Sequence, residues 1–237
     1  MRKLLLLLFT MTLGLCASAA DTELREYDLN VGAFSRLKVV NNVNVIYSCN
    51  PDSAGRAYFR APREYADLFI CSNNDGQLKV ESLPVEPGTT GLPTLYVYSR
   101  FLSEVTNDSD STLIVRNVAP CPVFKATQVG NGRLVVRDLE CTDVHGFLNT
   151  GNGTVVLSGD CSNANLKIVG TGLIQADELK ADNVKCILFG GGNIGCWPVK
   201  ELNTKGIGST RIYYRGDPLI KKRGGGKIYQ MDEYQAQ

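Results

Sequence analysis

Four carboxylates in the middle of the chain are the residues whose type and spacing could do chemistry. They are Asp138, Glu140, Asp143 and Asp160. Sugar-cleaving enzymes use clustered Asp and Glu side chains, often with a basic residue on the same face. No Lys or Arg recurs in phase beside these four in the sequence, and acidic residues are common in surface turns. A polysaccharide lyase or hydrolase is therefore an alternative interpretation, and we predict no catalytic residues.

Cofactor and metal chemistry finds less support. Gly190-x-Gly192-x-x-Gly195 matches a dinucleotide-binding string, but such a loop must open a crossover helix, and Pro198 follows three residues later. His145 is the only histidine and no Cys-x-x-Cys occurs, which excludes a His-based zinc cluster. We predict no cofactor and no metal.

The charge balance gives no reason to expect a nucleic acid partner. The chain has 25 Lys and Arg residues against 24 Asp and Glu residues. Nucleic acid binding depends on neutralising many phosphates, which a near-neutral chain does poorly. The basic run Lys221-Lys222-Arg223 precedes three glycines and is interpreted as part of a solvated tail.

The first twenty residues predict export. Arg2-Lys3, an apolar stretch from Leu4 to Leu15 and the small residues that follow form a Sec signal peptide over residues 1–20. The stretch is too short to cross a bilayer, and no other segment is apolar enough for a transmembrane span. Cys16 offers a lipoprotein alternative, which Leu15 disfavours because a small residue is wanted there. We predict a protein of the periplasm or the cell surface.

Seven cysteines remain after cleavage, so at least one is free or pairs between chains. Three of them, Cys121, Cys141 and Cys161, are 20 residues apart, and a ladder of small buried residues is the preferred interpretation, with a disulfide as the alternative.

Two further pairs of cysteines could form disulfides. Cys49 and Cys71 flank an insertion, and Cys186 and Cys196 bracket a glycine turn. The sequence leaves the connectivity open.

Repeated glycine turns indicate the elements that carry these residues. Five Gly-x-Gly turns follow one another at a period near 20, and a short β-rich run comes after each. Their glycines are Gly130, Gly132, Gly151, Gly153, Gly170, Gly172, Gly190, Gly192, Gly206 and Gly208. Such a period is typical of a solenoid, in which each repeat packs on its neighbours. Glycine at the corners permits backbone angles that a Cβ would forbid.

The fold class predicted is all-β: a single-stranded right-handed parallel β-helix with rungs of about 20 residues. The runs alternate apolar and polar residues, as strands should. Residues 29–105 are less regular, and we predict an N-terminal hairpin elaboration that protects the open edge. One domain is expected over residues 21–220, followed by a short tail over 221–237.

The glycine turns, closing in a segment over residues 206–218 that contains Tyr214-Arg215-Gly216-Asp217-Pro218, resemble the head GIN domain family. Its members are known as auto-transporter adhesins and are abundant in Bacteroidetes. The strands beginning at Phe34 and Val43 look like the first strand pair of that family. The resemblance implies a secreted β-helical domain of the cell envelope with no catalytic residues to carry over.

The function predicted is therefore that of a non-enzymatic exported adhesin, which binds a carbohydrate or a protein through the outer faces of the coil. A purely structural envelope module is a further alternative. Trp197, in a predicted loop after a glycine turn, is the candidate for a partner surface. The ligand's identity and the oligomeric state are left open.

Overall fold

The computed structural model describes residues 23–86, 89 and 91–231. The predicted signal peptide, with Cys16, lies outside these residues. The described chain forms seventeen strands and one 3-10 turn at Arg63–Tyr65. The strands are β1 Arg25–Asn30, β2 Arg36–Val40, β3 Val45–Cys49, β4 Arg56–Ala61, β5 Phe69–Asn74, β6 Gln77–Ser82, β7 Leu95–Ser99, β8 Glu104–Asp108, β9 Thr112–Val115, β10 Cys121–Val129, β11 Arg133–Asn149, β12 Thr154–Gly170, β13 Leu173–Gly190, β14 Asn193–Ile207, β15 Arg211–Tyr214, β16 Leu219–Gly224 and β17 Lys227–Gln230.

The strands wind into a β-solenoid with two stacked parallel faces, which confirms the predicted fold class. Strands β11 to β14 are long because each bends around a corner and contributes to both faces. The first part of β11 pairs with β9, and its second part pairs with β10. Each long strand then pairs in parallel with the next along its length. This arrangement stacks residues about 20 positions apart directly above one another.

Alternating side chains explain why these segments form strands. In the first part of β12, Val155 and Leu157 are buried in the coil while Val156 between them faces outward. Neighbouring side chains of a strand point to opposite faces, so this spacing fills the interior and leaves polar or small residues outside. A similar alternation runs through β13 and β14. Apolar burial along the whole axis therefore holds the repeats together.

The N-terminal region departs from chain order. Strands β2 and β3, the first pair of the coil, lie between two later pairs: β2 contacts β6 and β8, and β3 contacts β7 and β9. The insertion after β3 thus returns to cover the end of the coil. It adds antiparallel pairs there, β5 on β6 and β4 on β7, and the N-terminal strand β1 pairs antiparallel with β4. The predicted elaboration is present and is larger than a single hairpin.

The two glycines of a corner are required for different reasons. Gly151 has a φ of 75°, a left-handed conformation that other residues rarely adopt. Gly153 has no such angle, but a Cβ there would lie 2.6 Å from the carbonyl oxygen of Gly130 in the turn beneath. The last corner differs from the prediction, because Gly208 and not Gly206 has the positive φ, at 105°. Conformation and close stacking of backbones together select the pattern.

Polar side chains also stack at these corners. The backbone N–H of Asn131 donates to Oδ1 of Asp110, and the N–H of Asn152 donates to Oδ1 of Asn131, at 3.0 and 3.1 Å. Asp110 belongs to the segment Ser109–Ser111, which therefore occupies the place of a degenerate glycine corner.

Strand pairing continues past residue 220, where the sequence suggested that a tail begins. β16 pairs with β14, and β17 pairs with β15, in parallel and in register. Lys221, Lys222 and Arg223 lie on β16 and are exposed. The pairing arises because alternation resumes at Ile228, which packs against the core. The coil thus extends to Gln230.

Candidate functional site

A shallow groove runs along one corner of the coil, across three successive turns. It has a volume of about 600 Å³. Its walls are prolines, carboxylates and hydroxyl side chains around a central row of three thiols. The lining residues are Pro120, Cys121, Pro122, Glu140, Cys141, Thr142, Asp160, Cys161 and Ser162. The groove is open to solvent, as expected for a site on the outside of a filled coil.

The candidate carboxylates divide between two environments. Glu140 and Asp160 pair in register on neighbouring turns and are both exposed in the groove. Asp143 instead accepts a hydrogen bond from Nδ2 of Asn163 at 3.0 Å, which fixes it in a ladder of amide side chains. Asp138 lies where the pairing of β11 with β12 shifts register, and has a φ of 55°. The structure therefore brings two of the four together in one groove.

A basic residue does lie in phase with these carboxylates, contrary to the expectation from the sequence. Lys180 pairs with Asp160 on the next turn, and Trp197 pairs with Lys180 on the turn after that. The register of β13 against β14 shifts between Ala176 and Lys180, so Trp197 stacks on Lys180 although they are only 17 positions apart. A count at a fixed period of 20 from Glu140 and Asp160 reaches Lys180, but it misses Trp197.

Trp197 is not in a loop. It lies within β14, is partly buried, and its ring centroid is 5.8 Å from Nζ of Lys180. Pro198 beside it is buried. The irregularity lies instead on β13, where the pairing register with β14 jumps from Ala176 to Lys180. The indole can still contact a partner, with its face partly covered by a cation.

The two predicted disulfide pairs differ in structure. All four thiols are free. Cys49 donates its thiol to the carbonyl oxygen of Arg100 at 3.1 Å, whereas Cys71 lies on the β5–β6 hairpin, and the strands of the two do not pair. Cys186 and Cys196 are both buried, and the contact with Cys196 followed by burial raises the pKa of Cys186 well above its ordinary value. Disulfide formation at either pair stays a prediction.

A second surface, which sequence reasoning missed, begins near the N-terminal end of the coil. Tyr58, Tyr96 and Tyr98 form a stack of parallel rings on the outside of β4 and β7. The ring centroid of Tyr58 is 4.8 Å from that of Tyr96 and 6.0 Å from that of Tyr98. Burial and the hydroxyl of Tyr58 raise the pKa of Tyr98 to about 12, so its hydroxyl remains protonated. The alternation Tyr96-Val97-Tyr98 was the available signal, because it places both rings on one side of a strand.

Ion pairs border this stack. Arg60 Nη2 lies 2.8 Å from a carboxylate oxygen of Glu26, and Arg56 pairs with Asp28. Both pairs cross between the antiparallel strands β1 and β4. Surface pairs of this kind contribute little to stability. They leave a polar rim beside the tyrosine rings.

The tyrosine stack continues into a row of outward aliphatic side chains. Tyr96 pairs with Ile46, Ile46 with Ile114, and the row continues through Val135 to Val156. Ile46, Ile114 and Val156 are partly buried, and Val135 is buried between its neighbours although it points away from the core. We call these five residues, together with Tyr58 and Tyr98, the tyrosine–aliphatic face. It offers a flat apolar strip rather than a pocket.

No group of three or more potential metal ligands is suitably placed among residues 23–86, 89 and 91–231. Across the same residues no helix is long and apolar enough to span a membrane.

Comparison with known proteins gives a consistent fold. No curated protein matches the sequence. Among solved structures, a putative adhesin from Bacteroides fragilis is 19% identical, with a TM-score of 0.78 over 90% of this chain and 99% of that one. A putative adhesin from Parabacteroides distasonis is 16% identical, with a TM-score of 0.71 over 90% and 98%. A putative lipid binding protein from the same organism is 16% identical, with a TM-score of 0.68 over 90% of this chain and 98% of that one.

The match to a family rests on sequence. The sequence model described as "Putative auto-transporter adhesin, head GIN domain" matches residues 33–218, which is most of the coil. That span contains all five glycine corners, both strands of the first pair and the Gly-Asp-Pro element that ends at Pro218. The resemblance drawn from the sequence is therefore confirmed, and the chain belongs to the head GIN domain family.

Proposed function

We propose that the protein is a non-enzymatic exported adhesin that binds its ligand through the outer surface of the coil. Family membership and the fold of the adhesin-named structures support a role at the cell surface or in the periplasm. The signal peptide predicted over residues 1–20 accounts for export. The proposal specifies the surface and the chemistry of the ligand.

The tyrosine–aliphatic face is the observation that carries the proposal. In a solenoid the interior of each turn is filled by side chains, so binding falls to the extended outer faces. Tyrosine supplies rigid contact area with a polar tip, and it is enriched in protein interfaces. The aliphatic row offers no hydrogen bonds to sugar hydroxyls, whereas it suits the apolar centre of a protein interface. A protein is therefore the favoured ligand and a carbohydrate the alternative.

An array of matrix proteins and glycans, probed with the purified chain, tests this choice. Tyr58→Ser combined with Tyr96→Ser should weaken binding at least tenfold, because buried aromatic anchors contribute most of the energy of an interface. Trp197→Ala, which removes the indole beside Lys180 and leaves the tyrosines in place, is the matched control and should bind like the wild type. Loss of binding in the control alone would assign the ligand to the surface around Trp197. Binding to glycans and to none of the proteins would show that the ligand is a carbohydrate and not a protein.

Absence of catalysis is part of the same proposal. Glu140, Asp160 and Lys180 form the arrangement most similar to a sugar-cleaving site. Glu140 and Asp160 line the open groove, and Lys180 follows them on the next turn. Incubation with polysaccharides should release no product. Release that disappears in Glu140→Gln would instead show an enzyme.

A further inference from the structure

Three cysteines are stacked at the centre of the groove. Cys121 on β10 pairs in register with Cys141 on β11, and Cys141 pairs with Cys161 on β12. Neighbouring strands are about 4.8 Å apart, and the Cα atoms of a disulfide are usually 4.4–6.8 Å apart. Both neighbouring pairs of cysteines therefore have a Cα separation that a disulfide accepts, and the positions of the side chains decide between the two pairs.

The side chains favour a bond between Cys121 and Cys141. The Sγ atoms of Cys121 and Cys141 are 2.9 Å apart. A disulfide bond is about 2.05 Å long, so closure needs an approach of less than about 1 Å, which side-chain rotation can supply. Cys141 is partly exposed in the groove, and Cys121 is 7% exposed. One thiol can thus meet a reagent while its neighbour is already in contact behind it.

We propose that Cys121 and Cys141 form a disulfide that links two successive turns of the coil, and that Cys161 remains a free thiol beside it. The proposal depends on export only for its oxidant, a low-molecular-weight or protein disulfide in an oxidising compartment. It replaces the ladder of inert small residues suggested by the sequence. The groove thereby becomes a site of thiol–disulfide exchange.

The reaction balances in two steps. The thiolate of Cys141 attacks one sulfur of the external disulfide, a mixed disulfide forms, and the first external thiolate leaves and takes up a proton. The thiolate of Cys121 then attacks Sγ of Cys141 and expels the second external thiolate, which is also protonated. The two cysteines lose two protons and two electrons, and the external disulfide gains them as two thiols.

The sulfur contact with Cys141 selects Cys121 to complete the bond, and local charge acts further against Cys161. Burial, and then contact with Cys141, raise the pKa of Cys121 to about 12. The contribution from Cys141 disappears once that residue is in the mixed disulfide. Burial likewise raises the pKa of Cys161 to about 12, and Cys141 adds to this increase. The negative charges of Asp160, Asp143 and Asp182 raise the pKa of Cys161 further, and they remain after Cys141 has reacted. These carboxylates therefore continue to favour the thiol form of Cys161, the less reactive form, after Cys141 has reacted.

Peptide mapping tests the linkage directly. The mature chain is equilibrated with oxidised and reduced glutathione, free thiols are alkylated, and the protein is digested with a protease that cleaves at aspartate. Cleavage at Asp138, Asp143 and Asp160 places the three cysteines on different peptides. We expect a linked Cys121–Cys141 peptide and an alkylated Cys161. A Cys141–Cys161 link, or alkylation of all three, would overturn the proposal.

The stability difference between oxidised and reduced protein provides the second readout. A link closing a loop of about 20 residues should raise the Tm by roughly 6–12 °C in a chain of this size. Cys121→Ser should remove most of that difference, and the matched variant Cys161→Ser should keep it. An equal difference in both variants would contradict the assignment. Both measurements use the isolated chain without a ligand, so their failure would leave the binding proposal untouched.

Discussion

The two ends of the coil protect their open strand edges in different ways. The N-terminal end is covered by the insertion after β3, where Phe59 is fully buried between Tyr27 and Phe69 at centroid distances of 4.9 and 4.8 Å. Within the described residues, which end at Met231, the C-terminal end has only two short added strands, β16 and β17. Every residue of β16 is exposed, and Tyr229 stacks on Tyr213 at the surface.

This difference teaches how an open edge is protected. A free edge strand presents unpaired N–H and C=O groups to any other strand. At the N-terminal end antiparallel strands and an aromatic cluster cover the edge. At the C-terminal end the strands are short, and Lys221, Lys222 and Arg223 charge the edge, which discourages pairing with another chain. We therefore expect the N-terminal cover to hold much of the folding free energy, and the C-terminal turn little.

Removal of one aromatic ring from each end should show the difference in stability between the two ends most clearly. Phe59→Ala should lower the free energy of unfolding by about 3–5 kcal/mol, because it leaves a cavity in a closed aromatic cluster. Tyr229→Ala, at 39% exposure, should cost less than about 1 kcal/mol. Urea unfolding followed by circular dichroism measures both. Equal losses would show that the two ends are sealed equally well.

A matched pair of glycines sharpens the comparison. Gly55 in the N-terminal insertion has a φ of 82°, and a Cβ there would lie 3.1 Å from the carbonyl group of Gly32. Gly55→Val should therefore cost about 1–3 kcal/mol. Gly225 near the C-terminal end has no positive φ, and its nearest contact would be 3.9 Å away. Gly225→Val should change the midpoint of urea unfolding very little, and a loss as large as that at Gly55 would contradict the difference between the ends.

Alkaline pH should loosen the N-terminal cover of the reduced protein. Burial raises the pKa of Cys71 from 9.0 to about 11. Because the folded pKa is the higher one, the thiol's contribution is fully present below pH 9 and is lost as pH rises to about 11, with a magnitude on the order of 2 kcal/mol. Hydrogen exchange across β5 and β6 should accelerate over that range. Cys71→Ala should flatten the dependence, and an unchanged profile in this variant would assign the effect to another group.

Several features of the coil could be derived from the sequence because they depend on local geometry. Glycine at positions such as Gly151 and Gly153 reflects a backbone angle or a close approach that recurs in each turn, so it repeats at the period of the coil. Alternating residues such as Val155 and Leu157 give the strands and the core. The family resemblance follows from the same repeats. All-β architecture, parallel stacking and an elaborated N-terminal end were therefore predictable.

The tertiary structure decided what the period could not. Tyr58 and Tyr96 meet because a later strand folds back over an earlier one, which places β2 and β3 between pairs that follow them in the chain. Trp197 meets Lys180 because of a register shift. Such contacts depend on long-range pairing, where one added residue changes which side chains become neighbours. The sequence thus determined the coil, and the register between its turns determined the surfaces that it presents.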